Sequence, residues 1–400
     1  MRISTQEYYN RSINVMLEQQ SALSQIQNQV ASGKRVNTPA DDPIAAVHIL
    51  ELERTKTESE QFGKNSDLAR SRLSLEEQGL ADAGSLMQRV RELVVQASNT
   101  GTLSDNDRKS IASELSARLD ELEALSNRKD SNGEYLFSGF STLTQPFVVD
   151  GTGAVQYAGD QGNRQLQVGP TQRVADGHSG FDVFMDIPSG NGTFATGAAA
   201  ANTGSGIIDA GSVSNVGAWV PDNYTLTFTT PTSWAVTDSL GNSVATGAYT
   251  SGRSIAFRGV QVTVTGAPAA GDTFAVKKST SQDAFTTLRG IVSALNTPAT
   301  TPALKAQLSS TLSASLQQID QTTDHFLGVR ATVGARLSSL DNADDSRAAL
   351  NVDIETSLSG LRDLDYASAL SKMQQQVVGL QAAQLSYSKI SQLSLFNYLS

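Results

Sequence analysis

The sequence predicts a mainly α fold with a β insert. The N- and C-terminal arms form a long antiparallel helical rod or coiled coil, and a small antiparallel β-domain sits in the middle. Three observations carry this. All ten prolines lie between Pro39 and Pro302, with none in 44–145 and none after 302. Twenty of the 32 glycines fall within 146–280, as do both tryptophans, Trp219 and Trp234. Outside that stretch, apolar residues recur in steps of three and four. Proline breaks helices and glycine weakens them, so the flanks are free to be helical and the middle is not.

The N-terminal arm opens with the stripe Tyr9, Ile13, Met16, Gln20, Leu23, Gln27, Val30. A second register runs Ala69, Leu73, Glu76, Leu80, Ala83, Met87, Val90, Val94, Ala97, and a third Ile111, Leu115, Arg118, Leu122, Leu125. Alternating steps of four and three keep a stripe on one helix face. "TLSDNDRKS" separates the last two, with N-cap candidates at Ser104 and Asp105. In the middle, "YTLTFTT" (224–230) alternates strictly, and "VQVTVTG" and "DTFAVKK" do so more loosely around the turn "APAAGD". "SLGNSV" (239–244) has hairpin-turn chemistry. In the C-terminal arm Leu312, Ile319, Phe326, Val333 and Leu340 stand seven apart, and Tyr366, Leu370, Met373, Val377, Leu380 form a final stripe. Each stripe is narrow and needs another helix to cover it, so distant parts of the chain pair in space. The expected domains are 1–42 with 358–400 as a terminal axial coiled coil, 43–145 with 281–357 as a helical rod, and 146–280 as an outward-facing β-rich domain.

Charge and composition exclude several function classes. A net charge of −10 argues against a nucleic-acid partner, because phosphate binding needs clustered Lys and Arg. No stretch reaches 18 uninterrupted apolar residues, so no membrane insertion is expected. The opening "MRISTQEYYN" lacks a secretory apolar core, which by itself points to the cytosol. With no cysteine, disulfides and thiolate metal sites are out.

"ASGKRVNTPADDPIAA" (31–46) looks at first like a phosphate loop with a carboxylate pair. A Walker loop needs a second glycine five residues before Gly-Lys and a Ser or Thr after it; here Asn28 and Arg35 stand in those places. The stretch reads better as a helix end at Gly33, a short extended linker, and a helix start in which Asp42 caps and Pro43 occupies the first turn. Asp41 adds negative charge near the positive end of the helix dipole. Segment 33–42 is then expected to be an articulated joint.

No other constellation carries chemistry. His48, His178 and His325 are scattered, and no H-E-x-x-H occurs. "DGTGAVQ" lacks the third glycine of a dinucleotide fingerprint, and no G-x-S-x-G appears with triad partners. Asp341, Asp344 and Asp345 read as a solvated face or a cap. Trp219, Tyr224 and Trp234 are stacking candidates for a carbohydrate-binding module, although such aromatics in a β-domain are more often core. The expectation is no enzyme, no catalytic residues, no metal and no cofactor.

Three stretches then resemble one family. "SGKRVNTPADDPIAA" is similar to the linker near the N-terminus of bacterial flagellins and their junction relatives. "NGEYLFSGF" (132–140) resembles the segment closing their N-terminal helical half, and 358–399 resembles their C-terminal helix. The ending "KISQLSLFNYL" and the opening "MRISTQ" look more like the junction members than filament-forming flagellin. The resemblance covers roughly 1–145 and 281–400. It implies a structural flagellar subunit at the hook-filament junction, present as a ring of copies between hook-associated protein 1 and flagellin. It further implies type III export without a cleaved signal, an extracellular home, and a cytosolic export chaperone bound to the C-terminal helix.

Physical chemistry suits that role. The end stripes are each about 20 residues, marginal as isolated helices. They are expected to be largely disordered in the free chain and to order as a coiled coil on assembly. The assembly seam is assigned to Ile13, Met16, Leu23, Val30, Leu370, Met373, Val377, Leu380, Leu393 and Phe396, with Gly33, Asp42 and Pro43 as joint and cap.

Overall fold

The computed structural model describes residues 5–99 and 103–392, apart from the side chains of a few residues at its ends. The described residues form a set of short strands and six α-helices. They are α1 (Thr5–Ser32), α2 (Pro43–Ala97), α3 (Asp105–Ser126), α4 (Ala284–Asn296), α5 (Pro302–Arg362) and α6 (Tyr366–Gln392). Contacts divide the chain into two compact units, Met1–Lys64 with Ala343–Ser400, and Asn65–Asn342. Helices α2 and α5 contribute residues to both.

The second unit holds the larger core. Every residue of the 69–97 register is buried, Glu76 included, and so are Leu312, Ile319, Phe326, Val333 and Leu340. Heptad spacing here did what the sequence required of it: each stripe is covered along its whole length. Helix α3 packs on α4 through Ile111, Leu115 and Leu122 on one side and Leu288, Ile291 and Leu295 among the buried residues of the other. Ser104 starts α3 through a capping box: its hydroxyl accepts from the Asp107 amide at 3.2 Å, and the Asp107 carboxylate accepts from its amide at 3.0 Å.

An aromatic cluster joins the segment after α3 to the helices. Phe184 meets Phe137, Phe147 and Phe326 at ring-centre distances of 5.2, 5.5 and 5.5 Å, mostly edge to face, and Phe147 meets Phe285 at 5.2 Å. Phe184 sits in a short π-helical turn, Phe181–Met185. Gly180, just before it, allows the close approach: a Cβ there would stand 2.7 Å from both the Phe137 carbonyl and the Phe147 ring. Two ribbons lie in this same segment, β1 (Phe147–Val149) with β2 (Val155–Tyr157), and β3 (Gln165–Gln167) with β4 (Arg173–Ala175). Then comes the two-residue strand β5 (Ile187–Pro188).

A compact β-sandwich follows. Its strands are β6 (Phe194–Ala198), β7 (Ile207–Ile208), β8 (Ser212–Val213), β9 (Asn223–Thr230), β10 (Ser233–Thr237), β11 (Ser243–Ala248), β12 (Ser254–Phe257), β13 (Val260–Thr265) and β14 (Thr273–Lys278). One antiparallel sheet has the order β11-β10-β9-β14-β6 and the other β12-β13-β7, with β8 also on β13. The alternation seen in the sequence decides which side chains face inward: Tyr224, Leu226 and Phe228 from β9, Val260, Val262 and Val264 from β13, Phe274 and Val276 from β14. Trp219 and Trp234 pack against this core, Trp219 at 5.9 Å from Phe194 and 5.8 Å from Tyr224. Tyr224 is itself buried. These three rings support the sandwich and do not form an open stacking platform.

The sandwich core begins at Phe194, about 50 residues later than the 146–280 insert expected from composition. The segment 146–190 packs with the helices instead. Chain entry and exit lie side by side: the Ser189 amide donates to the Thr280 carbonyl at 2.8 Å, the Ser279 hydroxyl donates to the Ser189 carbonyl at 2.9 Å, and β5 pairs with β15 (Ser281–Gln282).

Three hairpin turns share one design, D-x-x-G-x, at Asp130–Glu134, Asp150–Ala154 and Asp238–Asn242. In each, the Asp carboxylate accepts from the amides two and four residues on, and the glycine adopts φ +83°. At Asp150 the Thr152 hydroxyl and amide, then the Ala154 amide, hold the carboxyl down at about 2. Its folded value therefore lies below the unfolded value of about 3.9, so the stability it contributes is fully present above pH ~4 and lost as pH falls towards 2. Exchange of the Ala154 amide is expected to speed up across that window in the native chain and to be pH-flat there, beyond its intrinsic dependence, in Asp150→Ala.

A second feature of this unit is a buried ionic hub. Arg72, 6% exposed at its side chain, reaches Asp130 at 2.8 Å, Glu134 at 3.1 Å and Asp176 at 3.3 Å. Arg164 adds a second guanidinium on Asp176 at 2.5 Å. Nearby, His178 Nδ1 lies 2.7 Å from the buried Glu76, and Arg336 donates to the Gly177 carbonyl at 3.0 Å. Burial pushes the Arg336 guanidinium down, against the pull of Glu76 and Asp176.

Candidate assembly surfaces of the terminal helices

The first unit contains every sequence-assigned seam and joint residue that the structure describes; Leu393 and Phe396 lie outside the described residues. Helices α1 and α6 pack on each other within one chain. They run antiparallel: Tyr9 meets Tyr387 edge to face at 5.8 Å near one end, Gln19 lies beside Gly379, and Gly33 lies beside Tyr366 at the other end. Both ends are helical over their described lengths, α1 from Thr5 and α6 to Gln392, and each lies on the other. Each helix supplies a partner for the other, which relieves the marginal stability of either alone.

That pairing covers only one side of each helix. Met16, Leu23, Val30, Met373, Val377 and Leu380 are half-buried, and Ile13 and Leu370 are 39% and 43% exposed. Residues one step round the helices, which the stripes did not include, are more open: Leu17, Val378 and Leu385 are about three-fifths exposed. Ala369 is buried. The sequence held a signal for the outer face, since Val377 and Val378 are adjacent and only one can face α1. At the start of α2, Ile44, Val47 and Leu50 are exposed as well. The unit keeps apolar surface that its own fold does not cover, and such surface marks contact sites.

The 33–42 segment is anchored at both ends. Gly33 ends α1 with φ +71°, a value L side chains rarely adopt, and a Cβ there would stand 2.9 Å from the Tyr366 hydroxyl. Lys34 and Asp363 form an antiparallel bridge, and Val36 is buried with Ala45, Ile49, Ile354 and Leu358. Pro43 is the first residue of α2, and the Asp42 carboxylate accepts from the Ala45 amide at 3.0 Å. That amide first, then Arg35, holds the Asp42 carboxyl below its usual range. Asp41 has a different task from the dipole role expected of it. It accepts from the Asn37 and Thr38 amides at 3.0 and 2.8 Å and from Gln25 of α1 at 2.8 Å, so it folds the linker and ties it to α1.

Among the described residues no group of three His, Asp or Glu side chains could hold a metal ion, and no helix is long and apolar enough to cross a membrane. What the unit offers is helix surface.

Comparison with known proteins agrees. Residues 3–142 match the model of the bacterial flagellin N-terminal helical region, and 198–278 match the D2-like domain of flagellar hook-associated protein 1. The crystal structure of Xanthomonas campestris FlgL is 38% identical, with a TM-score of 0.72 over 77% of this chain and 99% of that one. This chain belongs to the FlgL family. Hook-associated protein 3 of Legionella pneumophila, another FlgL-family structure, is 35% identical, with a TM-score of 0.76 over 78% of this chain and 98% of that one. Flagellar hook-associated protein 3 of Salmonella typhimurium is 36% identical over 189 residues, 47% of this chain and 58% of that relative. The chain therefore spans little more than half the length of the curated relatives it matches. The D2-like match, 198–278, takes in the sandwich strands β7–β14 of this FlgL-family chain and starts at the last residue of β6, well inside the longer 146–280 segment.

Proposed function

We propose that the protein is a structural subunit of the bacterial flagellum that joins hook to filament as an adaptor layer. A ring of copies stands between hook-associated protein 1 and flagellin, outside the cell, and the subunits associate through α1 and α6. The observation that carries this is the partly covered α1–α6 pair: an antiparallel helix pair with apolar residues left on its outer face, in a chain of the FlgL family. In this reading 1–42 with 358–400 form the axial part, 43–145 with 281–357 the rod, and the β-sandwich the outward part. The seam residues Ile13, Met16, Leu23, Val30, Leu370, Met373, Val377, Leu380, Leu393 and Phe396 mediate association. Type III export without a cleaved signal, with a cytosolic chaperone on the C-terminal helix, belongs to the same proposal, as does the absence of enzymatic chemistry.

Two charged substitutions on the outer face test it. Val378→Asp with Leu385→Asp leaves the α1–α6 contact intact and places two carboxylates where association would bury them, at a cost of several kcal/mol per subunit contact. A strain carrying this variant is expected to bear hooks without filaments and to shed monomeric flagellin into the medium. Normal filaments would overturn the proposal.

A filament-forming role is the second reading, favoured by the 33% identity to Bacillus subtilis flagellin over 178 residues. Purified protein that polymerised into long filaments would decide for it.

A further inference from the structure

Within the second unit, side chains on one face of α5 hold main-chain groups of the β-sandwich and its neck. At the neck, Gln318 is buried; its Oε1 accepts from the Gly190 amide at 2.8 Å and its Nε2 donates to the Pro188 carbonyl at 3.3 Å. The Ser189 amide turns to Thr280, so these two groups point the other way, and the Gln318 amide meets them as a neighbouring strand would. Nearer the start of α5, the Ile208 amide donates to the buried Ser310 hydroxyl at 3.3 Å. Gln307 Nε2 donates to the Ala200 and Asn202 carbonyls at 2.9 and 3.3 Å. Asn202 exchanges two bonds with the Thr273 main chain, so this grip reaches β14. Gln307 and Gln318 stand about 16 Å apart along the helix at 1.5 Å per residue.

The contact between these points is open. The sandwich core, Phe194 to Val276, takes no residue from α4 or α5. Between the moorings lies a cleft of about 360 Å³, lined by Thr196, Gly197 and Ala198 of β6, Gly290 of α4, and Thr311 and Ala314 of α5. A Cβ added at Gly197 or Gly290 would meet nothing within 4 Å, so this is a gap and not a packing seam. Its size and polarity admit water, which competes with each mooring. A polar contact of this kind permits domain motion that a large apolar one would stop. The covalent link is a neck of two-residue strands, β5 and β15.

We infer that Gln307 and Ser310 are positioning residues that latch the sandwich against α5, and that on their release it swings about its neck. The latch grips the body of the sandwich away from the pivot, where it has the leverage to set the tilt. Gln318 holds the pivot and stays bound through the swing. Every mooring addresses main chain, so α5 sets the tilt whatever side chains the sandwich carries. Tilt decides where the sandwich strands stand on the rod and what they can reach. The inference stands apart from the assembly reading.

Distances between two spin labels on the dilute full-length chain test this. The sequence has no cysteine, so Thr246→Cys in β11 and Ala331→Cys in α5, both at exposed positions, take the labels alone. Gln307→Met with Ser310→Ala keeps the side-chain shapes and removes the bonds; it is expected to add a longer distance to the native one. Gln317→Ala, at a residue that lines the cleft, is expected to keep the native distance. In the latch variant the amides of Gly190, β9 and β14 are expected to keep their protection from exchange. An unchanged distance in the latch variant overturns the inference, as does a native chain that already shows the longer one. The same longer distance in Gln317→Ala overturns it by making the filling of the cleft decisive. Loss of protection at Gly190 moves the pivot, and loss in β9 and β14 means unfolding; either one overturns it too.

Discussion

Excising residues 191–278 and joining Gly190 to Ser279 through a short turn is expected to leave the remaining chain folded, whereas excising 146–280 is expected to unfold its second unit. The first cut falls where the chain enters and leaves the sandwich side by side, held by the bonds between Ser189, Ser279 and Thr280. It removes the sandwich core whole, since Phe194 to Val276 form one cluster. The second cut also takes Phe147 and Phe184, which fill the core against Phe137, Phe285 and Phe326. Truncating one buried Phe costs about 3–5 kcal/mol, and two together match most of a domain's net stability of roughly 5–15 kcal/mol. It further removes Arg164 and Asp176 from the ionic hub. Thermal unfolding followed by circular dichroism compares the two excisions. A cooperative transition in the longer deletion, or none in the shorter, would show that the boundary has been misplaced.

Arg72→Ala is expected to lower unfolding stability by about 3–5 kcal/mol, more than a typical core substitution. The reason is what it leaves behind. Asp130, 4% exposed, would remain charged in the interior without its main counter-ion, and Asp176, 3% exposed, would keep Arg164 alone. Replacing Arg72 together with its two most buried carboxylates, as Arg72→Met, Asp130→Asn and Asp176→Asn, is expected to recover much of the loss, because buried ion pairs contribute little net stability against neutral groups of similar size. Urea unfolding measures both. A loss below about 1 kcal/mol for Arg72→Ala would mean that water reaches the hub, and recovery that fails in the triple variant would mean that Asp130 is needed mainly for its turn.

Asp130 shows why the hub was not legible beforehand. Its carboxylate both shapes a D-x-x-G-x turn through the Asn132 and Glu134 amides and accepts from Arg72, 58 residues away. The first role is local and has a sequence signature; the second depends on where α2 passes, which no local pattern records. Glu76 was read as one more position in a stripe, and it is indeed buried in register, but its partner His178 stands 102 residues on. The terminal stripes illustrate the opposite limit. Their spacing named one face of α1 and α6; much of that face is half-buried in the α1–α6 pairing, and Val378 and Leu385, which the stripes did not include, lie more open beside it.

The sequence by itself determined the helices, the alternating strands, the cap at Asp42 and the break at Gly33, because each follows from periodicity or backbone chemistry within a few residues. Only the tertiary structure decided that 146–190 belongs with the helices, that four carboxylates and three guanidiniums share one interior, and that the 33–36 linker is stitched to 361–364. Those outcomes depend on which distant surfaces meet, and burial and charge pairing take effect only once they have met.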